Sequence, residues 1–118
     1  MKLNFQNFKG DPTTLEWMIS DGADVNAKDD LNGWTPLLRA AAVNSTAEVA
    51  SVLIRYDAKI DVVDKQMKTP IMIATVNGNL PFVQILVKSG ANFLIKNQYE
   101  KSLYDLAVSM VKIFTFFF

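Results

Sequence analysis

The chain has 118 residues, half of them apolar and a fifth charged, with no Cys and no His. That excludes disulfides, thiolate and imidazole metal sites, and every catalytic set built on Cys or His. Twelve basic and twelve acidic side chains cancel, which argues against a generic polyanion binder.

The charges are unevenly placed. Residues 1–30 carry three Lys against Asp11, Glu16, Asp21, Asp24, Asp29 and Asp30. Residues 65–118 carry Lys65, Lys68, Lys88, Lys96, Lys101 and Lys112 against Glu100 and Asp105. The opening stretch MKLNFQNFKG has no apolar h-region and no small-residue cleavage site, so a cytoplasmic or nuclear location is expected. No run approaches the roughly 20 apolar residues of a membrane-spanning helix.

Taken in chain order, residues 1–30 read as part of a first helix, a second helix bearing Trp17 and Met18, and the stretch DGADVNAKD (21–29). Trp17 is expected in the core or at the outer edge. The next helix starts in GWTPLLRAA (33–41), where a hydroxyl caps free backbone N–H groups and Pro at the first helical position has no N–H to lose. Ser45 and Glu48 are spaced as a capping box ahead of Val49, Val52 and Leu53. Asp57 then stands where a left-handed residue is needed, a conformation Asp enters at some cost.

Thr69-Pro70 begins the same grammar again, with Ile71, Ala74 and Thr75 at helical spacing. Asn77-Gly78 breaks this helix and Asn79 caps the next, whose inner stripe is Phe82, Ile85 and Leu86. Ser89-Gly90 ends it. EKSLYDLAV (100–108) restarts the pattern, and MVKIFTFFF then leaves it.

These segments are copies of one unit. DGADVNAKD, YDAKIDVVD (56–64) and SGANFLIKN (89–97) align without gaps, and Thr35, Thr69 and Ser102 recur in phase with them. A period of about 33 residues marks a repeat architecture.

TPLLRAA, TPIMIAT, GADVNAKD and GANFLIKN resemble the ankyrin repeat, from about residue 3 to 108. The resemblance implies an all-α fold: a short solenoid of helix-turn-helix units joined by β-hairpin-like loops. Two complete repeats (31–64 and 65–97) are flanked by partial ones (1–30 and 98–112), followed by an apolar tail (113–118). Small arrays of this kind are expected to be marginally stable.

The sequence departs from the family in two ways. The TPLH histidine is replaced by Leu38, Met72 and Asp105; Leu38 and Met72 offer only apolar packing, so looser turns are expected. Gly33 is kept at one turn, but Met67 and Glu100 replace Gly at the next two, which requires other geometry or tolerated strain.

No catalytic constellation is found. Asp24, Asp29 and Asp30 cluster, but they read as a solvated turn rather than an acid–base pair or cation site. The five Gly are scattered and form no phosphate loop. No enzyme activity, cofactor or metal is expected.

By resemblance, the chain is expected to be a scaffold that binds another protein through its loop tips and the concave face of its first helices. The tips carry Asp30, Leu31, Asn32 and Trp34, then Lys65, Gln66 and Lys68, then Gln98, Tyr99 and Lys101. Arg39 and Ile73 face the groove. Trp34 can instead pack on the neighbouring turn, and Arg39 can instead pair with Asp29, Asp30 or Asp64. A partner would place acidic groups at the C-terminal Lys-bearing turns.

Two alternatives stay open: a nuclear regulatory component beside a nucleic-acid-bound partner, and a truncated array without independent function. Direct contact with nucleic acid or membrane is not expected. The chain is read as a monomer, with the tail offering a route to self-association. Ile113 to Phe118 would fold back on the last helix, dock another chain or touch a membrane.

Overall fold

A computed structural model of the chain describes residues 11–43, 45–105 and 107–108. Within them run five helices: α1 (Pro12–Ser20), α2 (Pro36–Ala42), α3 (Ala47–Arg55), α4 (Pro70–Val76) and α5 (Leu80–Lys88). Residues 103–105, 107 and 108 are also helical, and an isolated antiparallel bridge joins Lys96 to Ser102. The tail 113–118 lies outside the described residues.

The helix starts follow from their caps. Thr35 Oγ1 accepts from Leu38 N and Thr69 Oγ1 from Met72 N, each at 3.3 Å, with Pro36 and Pro70 beginning α2 and α4. Asn79 Oδ1 accepts from Phe82 N at 3.3 Å ahead of α5. The expected capping box at Ser45 and Glu48 does not form. Thr46 is the N-cap of α3 and makes no side-chain cap bond. The helix begins one residue later than the box requires, which moves Glu48 from the third helical position to the second. Thr75 is likewise off the inner stripe: it is exposed, and its hydroxyl donates to Ile71 O at 2.7 Å.

Two rows of helices result. α2 packs beside α4, while α3 lies between α1 and α5; within units, α2 packs on α3 and α4 on α5. Both ends of α2 and α4 are tied like to like. At the leading end Lys65 N donates to Asn32 O at 3.0 Å, and at the trailing end Asn77 Nδ2 donates to Ala41 O at 2.9 Å. The two first helices therefore run side by side in the same direction.

One apolar seam runs through the stack. Leu37, Leu38, Ala40 and Ala41 from α2 and Val49, Ala50 and Leu53 from α3 are fully buried, as are Phe82 and Leu86 from α5. Leu38 and Met72, in the place of the family histidine, belong to the buried interior. Trp17 takes the outer edge, with 67% of its surface exposed.

The strain expected at non-Gly positions is present. Asp57, Met67 and Glu100 have φ of 69°, 62° and 60°, a region that costs an L-residue roughly 1–2 kcal/mol. Side chains also bind one unit to the next. Asn26 Nδ2 donates to Asp57 O at 3.0 Å while its Oδ1 accepts from Lys59 N at 2.8 Å. One unit further on, Asp61 Oδ1 accepts from Asn92 N at 2.9 Å.

Candidate functional site

The turns between units share one construction. Asp29 Oδ1 accepts from Asn32 N (2.8 Å) and Trp34 N (3.2 Å). Asp64 Oδ1 accepts from Gln66 N (2.9 Å) and Lys68 N (2.8 Å). Asn97 Oδ1 accepts from Tyr99 N (2.8 Å) and Lys101 N (3.2 Å). A side-chain oxygen at the start of each turn thus gathers two backbone N–H groups, a local alternative to strand pairing.

Backbone bonds close the same turns. Asp64 N donates to Lys68 O at 3.0 Å and Asn97 N to Lys101 O at 2.8 Å. In the first turn, one residue longer, Asp29 N donates to Trp34 O at 2.9 Å. Where Leu38 and Met72 stand in place of the family histidine, the turns are held by these Asx hydrogen bonds. The recurrence of Asp29, Asp64 and Asn97 at the turn starts is the sequence signal for them.

The first two turns are joined directly. Trp34 Nε1 donates to Asp64 Oδ2 at 3.1 Å, Lys65 Nζ donates to Asp30 O, and Lys68 Nζ lies 4.0 Å from Asp64 Oδ2. Asp64 is only 7% exposed, so its carboxylate is spent on these contacts. The Arg39 guanidinium sits 5.7 Å from the centroid of the Trp34 ring, within cation–π range. Among the described residues Arg39 has no carboxylate within ion-pair distance, contrary to the pairing considered for it. Burial pushes the Asp29 carboxyl up, but hydrogen bonds from the Asn32, Trp34 and Gly33 backbones and the Arg39 charge outweigh it and hold the group below its ordinary value.

The third turn feeds a further cap. Ser102 N and Oγ donate to Asp105 Oδ2, each at 3.0 Å, and Asp105 N donates back to Ser102 Oγ at 3.2 Å. Asp105, in the histidine's place, completes a reciprocal capping box. Hydrogen bonds from the Ser102 backbone and hydroxyl lower its pKa, with Lys101 and Lys96 adding to the effect.

The residues named from sequence therefore divide. Asp30, Asn32, Trp34, Lys65 and Lys68 are drawn together by the contacts between the first two turns, and Arg39 joins them through Trp34. Gln66, Gln98, Tyr99 and Lys101 stand exposed. Tyr99 shows 72% of its surface, Leu31 82% and Met67 49%. Met67 was not named as a contact from sequence, because Gly is the residue its position calls for. Ile73 is a correction: it is 9% exposed and belongs to the core cluster, so its side chain is taken up by packing rather than offered to a partner.

No helix among the described residues is long and apolar enough to cross a membrane. The described residues also hold no group of three or more acidic side chains placed to bind a metal ion.

Comparison with known proteins places these features. The family model for ankyrin repeats (3 copies) matches residues 5–97. The chain is 43% identical over 56 residues to the fibronectin type 3 and ankyrin repeat domains 1 protein of Mus musculus, covering 48% of this chain and 16% of that protein. It is 34% identical over 92 residues to the putative palmitoyltransferase ZDHHC13 of Danio rerio, covering 77% of this chain and 14% of that one. The chain thus spans less than a fifth of the length of either relative. Among solved structures, the ankyrin repeat domain of Bcl-3, a member of the IkappaB protein family, superposes with a TM-score of 0.70 at 30% identity, over 75% of this chain and 39% of that one. Ankyrin repeats are general protein–protein interaction modules. On the match over 5–97 and the stacked helix pairs, this chain belongs to the ankyrin-repeat family.

Proposed function

We propose that the chain is a non-catalytic binding module, which holds another protein against the turns at 29–34, 64–68 and 97–101 and the adjoining face of α2. The observation that supports this is the pairing of order with exposure. Each turn is fixed by paired Asx hydrogen bonds, yet each displays a large apolar side chain to solvent: Leu31, Met67 and Tyr99. Side chains ordered before binding lose less freedom on contact, which favours affinity. Arg39 over Trp34 adds a cationic and aromatic pair of the kind that concentrates interface energy.

Binders selected from a displayed peptide and protein library against the intact chain test this reading. Leu31→Ser and Tyr99→Ser should weaken selected binders by about tenfold or more. Trp17→Ser, on the outer helix row, should leave them unchanged. Binders that ignore the turn substitutions and depend on Trp17 would overturn the proposal.

A further inference from the structure

We infer that residues 113–118 cover the outer side of α5, so that the chain closes the end of its own stack. This stands apart from the turn reading above: α3 and α5 hold equivalent places in successive units, yet they are covered differently. Leu80, Val83 and Val87 share one face of α5, at the i, i+3, i+7 spacing of a helical stripe. Their counterparts in α3 are Ala47, Ala50 and Ile54. Ala50 is fully buried, and Ala47 and Ile54 are half-buried, because α3 lies between α1 and α5. On α5 the exposure rises to 61% at Leu80 and 44% at Val87, with Val83 half-buried. An apolar stripe thus stays open among the described residues, on the side that α3 turns toward the next unit. One tie between units changes as well. Asn26 accepts from Lys59 N and Asp61 from Asn92 N. Leu94 holds the same place in the third unit, where its side chain cannot accept and is 70% exposed. The third unit therefore offers whatever follows it an apolar surface in place of a polar tie.

The register of the chain supplies the cover. α5 starts at Leu80, ten residues after α4 starts at Pro70. Helix resumes at Leu103, behind the cap formed by Ser102 and Asp105, and the same interval leads to Ile113. Ile113, Phe114, Phe116, Phe117 and Phe118 give this stretch five apolar side chains in six, with no charge. In a stack each unit contacts only its neighbours, so a segment at this register meets α5. A second copy of the chain is the rival occupant. The stripe and Leu94 together fall far short of the roughly 20–30 residues and about 800 Å² per partner that a stable interface needs, whereas a segment tethered to the same unit needs no such area.

The test is paramagnetic broadening of amide signals in the intact chain. The sequence has no Cys, so Lys88→Cys, at an exposed place on α5 off the stripe, carries a single nitroxide. Signals of residues 113–118 should broaden, and those of α1 should not. A mixture of spin-labelled chain with isotope-labelled chain that bears no nitroxide should show no broadening. Broadening confined to that mixture would give the stripe to a second copy and overturn the inference, as would its absence from both samples. Val83→Ser with Val87→Ser should abolish the broadening, with the fold checked by circular dichroism. Phe116→Ser with Phe117→Ser should quicken hydrogen exchange in α5 by about tenfold and leave α1 as it was. Broadening that survives loss of the stripe, or an α5 that exchanges no faster without the two rings, would show that the stripe is not what the segment covers.

Discussion

The indole N–H of Trp34 reaches across to Asp64 and donates to Oδ2 at 3.1 Å, tying the turn before α2 to the turn before α4. Trp34→Phe removes this donor and keeps most of the ring. It should lower stability by about 1 kcal/mol. Asp64→Ala leaves Gln66 N, Lys68 N and the indole without their acceptor and should cost about 2–3 kcal/mol. Urea denaturation measures both, and equal losses would contradict the ranking.

Three left-handed residues are open to improvement. Asp57→Gly, Met67→Gly and Glu100→Gly each relieve a backbone conformation that L side chains resist. Each should raise stability by about 1 kcal/mol, less the extra freedom Gly gains in the unfolded chain. Thermal melts of the single and triple variants would show it, and a fall in Tm for all three would refute it.

Acid should loosen the turns. Asp29 titrates below its ordinary value near 3.8, so the folded state favours its charged form. Its contribution is present above that ordinary value and is lost as pH falls through the lower folded value. Asp11 and Asp105 are shifted the same way. Asp29→Asn keeps an acceptor for Asn32 N and Trp34 N, as Asn97 does natively in the third turn. The variant should therefore lose less stability than the parent between about pH 4 and pH 2, measured by denaturation across that range.

The two Asn of the α4–α5 connection hold neighbouring units together. Asn77 Nδ2 donates to Ala41 O at 2.9 Å and Ala42 O at 3.3 Å, and Asn79 Nδ2 donates to Ser45 O at 2.8 Å. Asn77→Ala should cost about 1–2 kcal/mol. In a repeat array the loss falls on the interface between neighbours, so hydrogen exchange should quicken in α4 and α5 more than in α1. Uniform quickening would argue against this assignment.

What could be read from residues alone follows the physics of each feature. The Thr-Pro starts, the Asn79 cap and the stripe of Phe82 and Leu86 are local, and each was legible. Ser45 and Glu48 have the spacing of a capping box, but α3 starts one residue later and Thr46 becomes the cap. Ile73 was misplaced because its position in the unit matches that of Arg39, yet burial depends on the neighbours in the stack. The Asx turns carry a visible signal in Asp29, Asp64 and Asn97, which recur at the same place in successive units. The bond between Trp34 and Asp64 spans two units, so no local pattern could choose it over a solvent-facing indole.

Gly33 sets how closely the first two turns approach. A Cβ built there would stand 3.2 Å from Lys65 Cγ, on the same lysine whose N–H reaches Asn32 O. A side chain there would have to push aside the lysine stem that reaches back to Asp30, and its backbone would also have to hold a φ of 69°. The glycine thus serves the joint between two units rather than the interior of either one.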